Sequence, residues 1–241
     1  MINRRAATVA LVVAAMAVTS CGGGKKSGES PSPAVPTATE LPGTMILHDD
    51  FSSSASGWDV SESDTFSSQY VGGRYRVVAK QRNLFGISST LYEGPSRPEL
   101  KQLGEVNVAV TAVGDPANGG LVGLVCRTRG DPNQLDYYGA TLSAAGRWAI
   151  VRQQGDRRSQ LSGGAAPAGI KFGGGPVVLR VECSGSEGDP ARIRLYVNGK
   201  FLGEGVDSSA WATGGAGFIV ASASRGGVVA FLDDFMLSTP Q

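Results

Sequence analysis

The residues able to do chemistry are few and fall into separate groups. The single histidine, His48, precedes Asp49-Asp50-Phe51, and a second acidic pair stands near the end of the chain as Asp233-Asp234-Phe235. Carboxylates joined by backbone carbonyls suit Ca²⁺, a hard cation that takes roughly six to eight oxygen ligands. The alternative is carboxylates bonded to turn amides. Strict alternation along the last strand would point Asp233 the same way as Val229, Phe231 and Phe235, so either a bulge turns it outward or a partner satisfies it. No G-x-S-x-G nucleophile motif accompanies His48, which argues against a histidine-dependent triad or a histidine-rich metal site.

A second group lies between Arg127 and Arg158. Six arginines (127, 129, 147, 152, 157 and 158) stand among Asp131, Asp136 and Asp156, with Tyr137, Tyr138 and Trp148 between them. Guanidinium forks bind carboxylate or phosphate bidentately, and aromatic faces stack on sugar rings or on guanidinium groups. If the strand through Arg127 lines an open sheet face, then Arg127, Asp136, Tyr138 and Arg180 form a candidate site for an anionic or neutral glycan. The competing reading is a solvated face with Trp148 in the core beside Ile150. Trp58, Trp211, Tyr75 and Phe218 read as core or sheet-edge packing.

The three cysteines separate by context. Residues 1–20 begin with Arg4-Arg5, continue as an apolar run and end in small residues before Cys21, the pattern of an export signal. Val18-Thr19-Ser20-Cys21 resembles a lipobox, which implies diacylglycerol on the Cys21 thiol and acylation of the new N-terminus, with palmitate the common fatty acid. The expected location is therefore the outer side of the cell membrane, held by lipid. Twin-arginine export is an open alternative route. Residues 21–44 are rich in Gly, Ser, Pro and Thr and read as a flexible tether spanning about 25 Å. Cys126 and Cys183 then remain in a compartment where disulfides persist. Each lies on a strand face with apolar neighbours, Val122 and Leu124 for one, Leu179 and Val181 for the other, so a bridge inside the core is expected.

The elements that must position these groups are strands. From residue 45 to 241, apolar runs of period two recur between Gly, Pro, Asn and Asp, as in a two-sheet antiparallel β-sandwich. Strands are expected near 46–51, 69–79, 86–92, 105–113, 121–129, 135–143, 147–153, 176–183, 192–198, 200–206, 216–223 and 228–237. Asn198-Gly199 suits a two-residue hairpin turn because both positions need φ > 0, and Ala145-Gly146 could do the same. Any helix should be a single turn, near Asp207 to Trp211.

Composition agrees with an all-β class. Glycine makes up 35 of 241 residues, against a usual share of about 7%, which suits a turn-rich chain. The formal charge is +1, and loss of the leader leaves 20 bases against 21 acids. An exported domain without net positive charge is a poor nucleic-acid binder.

The segments DDFSSSASGW, NGGLVGLVCR, GRWAIVR, VVLRVECSG, RLYVNGKFL, GAGFIVASAS and VVAFLDDFML together resemble the concanavalin A-like lectin/glucanase jelly roll. More narrowly the chain is similar to exported actinobacterial lipoproteins carrying that sandwich and to the fold of the 3-keto-disaccharide hydrolase domain. The resemblance implies two curved sheets, adjacent first and last strands, and a concave face where glycans sit in lectin members. The E-x-D-x-x-E run of glucanase members does not occur, so glucanase activity is not carried over. The expectation is a non-catalytic surface module that binds an envelope or environmental glycan or a partner protein and needs no cofactor, with a structural calcium at Asp49, Asp50, Asp233 and Asp234 as the alternative to carboxylates bonded to turn amides. The alternatives are a glycan-active hydrolase using Asp136, Glu182 and Glu99, and a structural or sensory ectodomain without a small ligand.

Overall fold

A computed structural model describes residues 41–81, 85–89 (backbone only), 94–95, 97–114, 120–131, 134–222 and 227–241. The expected leader, the lipobox cysteine Cys21 and the tether up to residue 40 lie outside these described residues.

Fifteen strands follow one another: β1 (Met45–Asp49), β2 (Ser61–Glu62), β3 (Phe66–Val71), β4 (Arg74–Ala79), β5 (Phe85–Ser89), β6 (Val106–Gly114), β7 (Gly120–Asp131), β8 (Gln134–Ser143), β9 (Arg147–Gln154), β10 (Arg157–Ala165), β11 (Val177–Ser184), β12 (Ala191–Val197), β13 (Lys200–Asp207), β14 (Gly215–Ser222) and β15 (Val228–Ser238). Nine form one sheet in the order β13-β12-β11-β6-β15-β4-β3-β2, with β1 also paired to β15, and six form the other in the order β10-β9-β8-β7-β14-β5. The first and last strands are thus neighbours and antiparallel, as the resemblance implied.

Period-two patterning puts one side of each sheet into a shared core. Val106, Val108 and Val110 of β6 and Leu179, Val181 and Cys183 of β11 meet Val122, Leu124 and Cys126 of β7 and Phe218 and Val220 of β14, all buried. Cys126 and Cys183 are bridged, with Cα atoms 6.7 Å apart and 57 residues of separation. The bond joins β7 of one sheet to β11 of the other, as the strand faces predicted. Aromatic rings fill one region of the interior: Trp58 lies 4.9 Å from Phe218 and 5.0 Å from Phe235 by ring centroid, and Phe51 lies 5.4 Å from Tyr75.

Both predicted hairpins occur, but only one has the expected turn: Asn198 and Gly199 take φ of 50° and 74°, whereas at Ala145-Gly146 only Gly146 is left-handed, at 69°, and its N–H donates to the Ser143 carbonyl at 3.0 Å. Three other local expectations differ. The run 69–79 is not one strand but the end of β3, a turn at Gly72-Gly73 with both φ positive, and β4. The strand β10 was not expected, because RRSQLSGGA carries no apolar alternation; it is a largely exposed edge strand paired only to β9. The single-turn helices are 3₁₀ turns at Ser54–Ser56 and Pro98–Lys101. At the expected position, Asp207 instead ends β13 and its carboxylate accepts the Ser209 amide at 3.0 Å.

Trp148 is partly buried against the core, and its ring passes so close to Gly203 of β13 that a Cβ there would lie 2.2 Å from it. Glycine at 203 is therefore a packing requirement: it lets the edges of the two sheets close over one indole.

Candidate functional site

The site begins with an irregularity in β7. Between Cys126 and Arg129 the register against β8 slips by one residue, and Arg127 takes φ of +52°. This bulge reverses the direction that strict alternation gives Arg127. Instead of lining an open face it turns inward and is 1% exposed. Its Nη1 donates to the Trp211 carbonyl at 3.0 Å and its Nη2 to the Gly185 carbonyl, while the Trp211 indole N–H donates to the Arg127 carbonyl at 2.7 Å. Burial pushes the guanidinium below its ordinary pKa. The β13–β14 connection is thus tied to the bulge from both sides. It passes so near that a Cβ at Gly214 would sit 2.4 Å from the Arg127 carbonyl carbon.

Trp211, read from sequence as core packing, is the centre of the site. Tyr138 stacks on its ring at 4.5 Å with planes 22° apart, and the Arg129 guanidinium lies 4.2 Å over the ring centroid. Two such close groups cannot share a face, so the indole is held between phenol and guanidinium. Tyr138 donates its hydroxyl to Asp207 at 2.6 Å, and Arg152 Nη1 is 3.1 Å from the same carboxylate. Burial, reinforced by that hydrogen bond, raises the Tyr138 pKa well above the usual phenol value. It is a neutral donor through the physiological range. Arg129 Nε is held by Asp136 at 3.2 Å, and the other oxygen of Asp136 accepts the Gly155 amide at 2.7 Å.

In front of this assembly opens a cavity of about 560 Å³ at one end of the sandwich. Arg129 and Trp211 line it together with Lys101, Gln102, Thr213 and Glu187. These come from the end of a 3₁₀ turn, the bulged end of β7, the β11–β12 connection and the β13–β14 connection. The volume falls within the roughly 300–1,000 Å³ usual for small-ligand sites. Trp211, Lys101, Gln102, Thr213 and Glu187 were not among the expected site residues. Nothing in their spacing links them; the bulge and the loop ends bring them together.

Of the four expected glycan-site residues, Arg127, Asp136 and Tyr138 do gather here, as supports beneath and beside Trp211. Arg180 does not. It lies on the outer face of the nine-stranded sheet, 4.0 Å over the Tyr196 ring and 3.2 Å from Glu182. The side of the six-stranded sheet away from the shared core, where the polar site was expected, is not open but carries a buried apolar group: Val125, Tyr137, Val151 and Ile219, with Leu135 and Ala149 beside them.

The three carboxylates of the hydrolase alternative stand on different elements. Asp136 is on β8; Glu182 is on the outer face of the other sheet, where it also accepts the Tyr196 hydroxyl at 3.1 Å; Glu99 is exposed on the 3₁₀ turn Pro98–Lys101. Asp136 and Glu182 therefore do not face one another across a cleft.

The four aspartates considered for calcium are near one another along β1 and β15 but have separate partners. Asp49 is buried and accepts from the Phe51 amide at 2.8 Å and the Trp58 indole at 2.8 Å. Asp50 accepts the Ser52 amide at 3.0 Å, and hydrogen bonding from the Ser52 side chain and then from that amide holds its pKa below the ordinary value. Asp233 shares the side of β15 away from the core with Val229 and Phe231, and the bulge at Asp234, with φ of +49°, turns Phe235 into the core instead of leaving it on that side. Asp233 lies 3.6 Å from Arg74, and Asp234 lies 3.3 Å from His48. Burial and then the neighbouring Asp234 raise the pKa of Asp233. Among the described residues no three His, Cys, Asp or Glu side chains gather as a metal site.

No family profile matches the chain, and no curated protein is similar to it in sequence. Solved structures do match its shape. A carbohydrate-binding module, CBM66, from Bacillus subtilis has a TM-score of 0.55 at 16% identity, covering 76% of this chain and 96% of that one. A Bacillus subtilis protein of unknown function with a galectin-like fold gives 0.57 at 15%, covering 83% and 99%. The Bacillus licheniformis beta-glucanase gives 0.52 at 10%, covering 83% and 100%. At these identities the likeness shows the fold alone, and the fold is the concanavalin A-like jelly roll.

Proposed function

We propose that this chain is an exported surface protein, anchored by lipid on Cys21, whose jelly roll is a non-catalytic glycan-binding module that takes its ligand in the cavity beside Trp211. The observation that carries this reading is the rigid support of that cavity. Trp211 is fixed by two reciprocal hydrogen bonds to Arg127 and by stacking on Tyr138, so little ordering remains to oppose binding. Around it stand an amide, a hydroxyl, two cations and a carboxylate, the donors and acceptors that sugar hydroxyls need. The carbohydrate-binding and glucanase neighbours support a glycan as ligand on this fold. The separation of Asp136 from Glu182 supports binding over hydrolysis, which needs two carboxylates about 5 to 9.5 Å apart across the bond. No cofactor is required for such binding.

The test is a glycan array probed with the mature chain carrying Cys21→Ser. Retention of at least one glycan, lost in Trp211→Ala and weakened in a Gln102→Ala, Thr213→Ala double variant that keeps its melting temperature, is the expected result. Retention unchanged by these substitutions would move the site elsewhere. Release of reducing sugar, abolished by Asp136→Asn, would replace binding by hydrolysis. For the anchor, radiolabelled palmitate should enter the full chain in cells and fail to enter Cys21→Ser.

A further inference from the structure

We infer that the ligand of this cavity is an acidic glycan, one whose sugar carries a ring carboxylate; this rests on the glycan-binding reading above and narrows it. The charges that line the cavity are Lys101, Arg129 and Glu187. Lys101 is half-buried and makes no ion pair among the described residues. Arg129 spends only its Nε on Asp136, and its terminal nitrogens make no hydrogen bond among the described residues. Stacking on Trp211 fixes the plane of that guanidinium and so fixes where its two terminal NH₂ groups point.

A planar, pre-oriented guanidinium edge is matched by a carboxylate, which accepts two parallel N–H bonds, and poorly matched by a hydroxyl, which accepts one at a time. Lys101 adds a second positive charge from the opposite chain segment without demanding a geometry. Glu187 is exposed and can accept hydrogen bonds from sugar hydroxyls. An isolated small anion could accept hydrogen bonds from Gln102 or Thr213 but would be repelled by Glu187. A hexuronate uses all of them: its carboxylate for the cations and its ring hydroxyls for the acid, amide and hydroxyl.

The test is calorimetric titration of the mature Cys21→Ser chain with oligomers of galacturonate, glucuronate and mannuronate, each beside its carboxyl-reduced neutral counterpart. At least one acidic oligomer should bind about tenfold or more tightly than its reduced form, with affinity that falls as salt rises. Lys101→Ala, with an unchanged melting temperature, should weaken binding of the acidic oligomer more than that of its reduced form and so remove most of that preference. Arg129→Lys should weaken acidic binding although charge is kept, because the fork is lost. Equal binding of acidic and reduced oligomers, or preference for the reduced form, overturns this inference and leaves the glycan-binding reading intact. Failure of every oligomer, together with an empty glycan array, overturns both.

Discussion

At the scale of the residue, the site depends on Arg127, a buried cation whose task is to hold a loop. Arg127→Ala would strip hydrogen bonds from the Trp211 and Gly185 carbonyls and leave a cavity where a long side chain had been. We expect a loss of about 3 kcal/mol, read from the urea midpoint, since buried acceptors left unbonded and a new void both cost stability. A loss under about 0.5 kcal/mol would mean that the loop holds itself. Tyr138 supplies a pH-dependent counterpart. Its folded-state pKa is raised above the unfolded value near 10, so its contribution is fully present below pH 10 and is lost as pH rises beyond it. Tyr138→Phe should therefore destabilise by about 1 kcal/mol at neutral pH, and the gap from the parent should shrink on titration above pH 10. A gap that stays constant would mean that burial and the Asp207 hydrogen bond together do not raise the Tyr138 pKa. That Arg127, Asp136 and Tyr138 belong together was legible from their types and closeness in sequence. That they support rather than contact a ligand was not, because strict alternation places Arg127 on the open face and only the bulge reverses it.

At the scale of the element, strands with an apolar face were legible wherever one face meets the core. The faces of β7 and β11 were clear enough to pair Cys126 with Cys183. Replacing both by alanine in the Cys21→Ser chain should cost about 2 to 4 kcal/mol by removing the constraint on the unfolded chain. Chemical denaturation with and without reductant should show the same loss for the parent, and an unchanged midpoint would mean the bridge contributes nothing to stability. Strand β10 escaped reading for a physical reason: an edge strand that covers little core needs no alternation, and its arginines and glycines serve solvent exposure. The Gly72-Gly73 turn was written in the sequence, but a long run of strand-forming residues on both sides masked it. The connections that build the cavity carry no periodic signal at all. Their meeting is set by where the strands end.

At the scale of the whole molecule, composition, turn residues and alternation specified the sandwich well, and they said little about which surface works. The side of the six-stranded sheet away from the shared core, where strict alternation would put Arg127, carries the buried Val125, Tyr137, Val151 and Ile219. The end of the sandwich carries the charge, the fixed indole and the cavity, and ligand is proposed to bind there. The sharpest check on that placement is a two-dimensional ¹⁵N–¹H spectrum of the mature Cys21→Ser chain, with the three indole N–H signals assigned, recorded while a glycan retained on the array is added. Trp211 and the amides of Lys101, Gln102 and Thr213 should shift together along one binding curve, while Trp58, Trp148 and the outer face around Arg180 stay in place. Shifts confined to the sheet faces, with Trp211 unmoved at saturation, would contradict it.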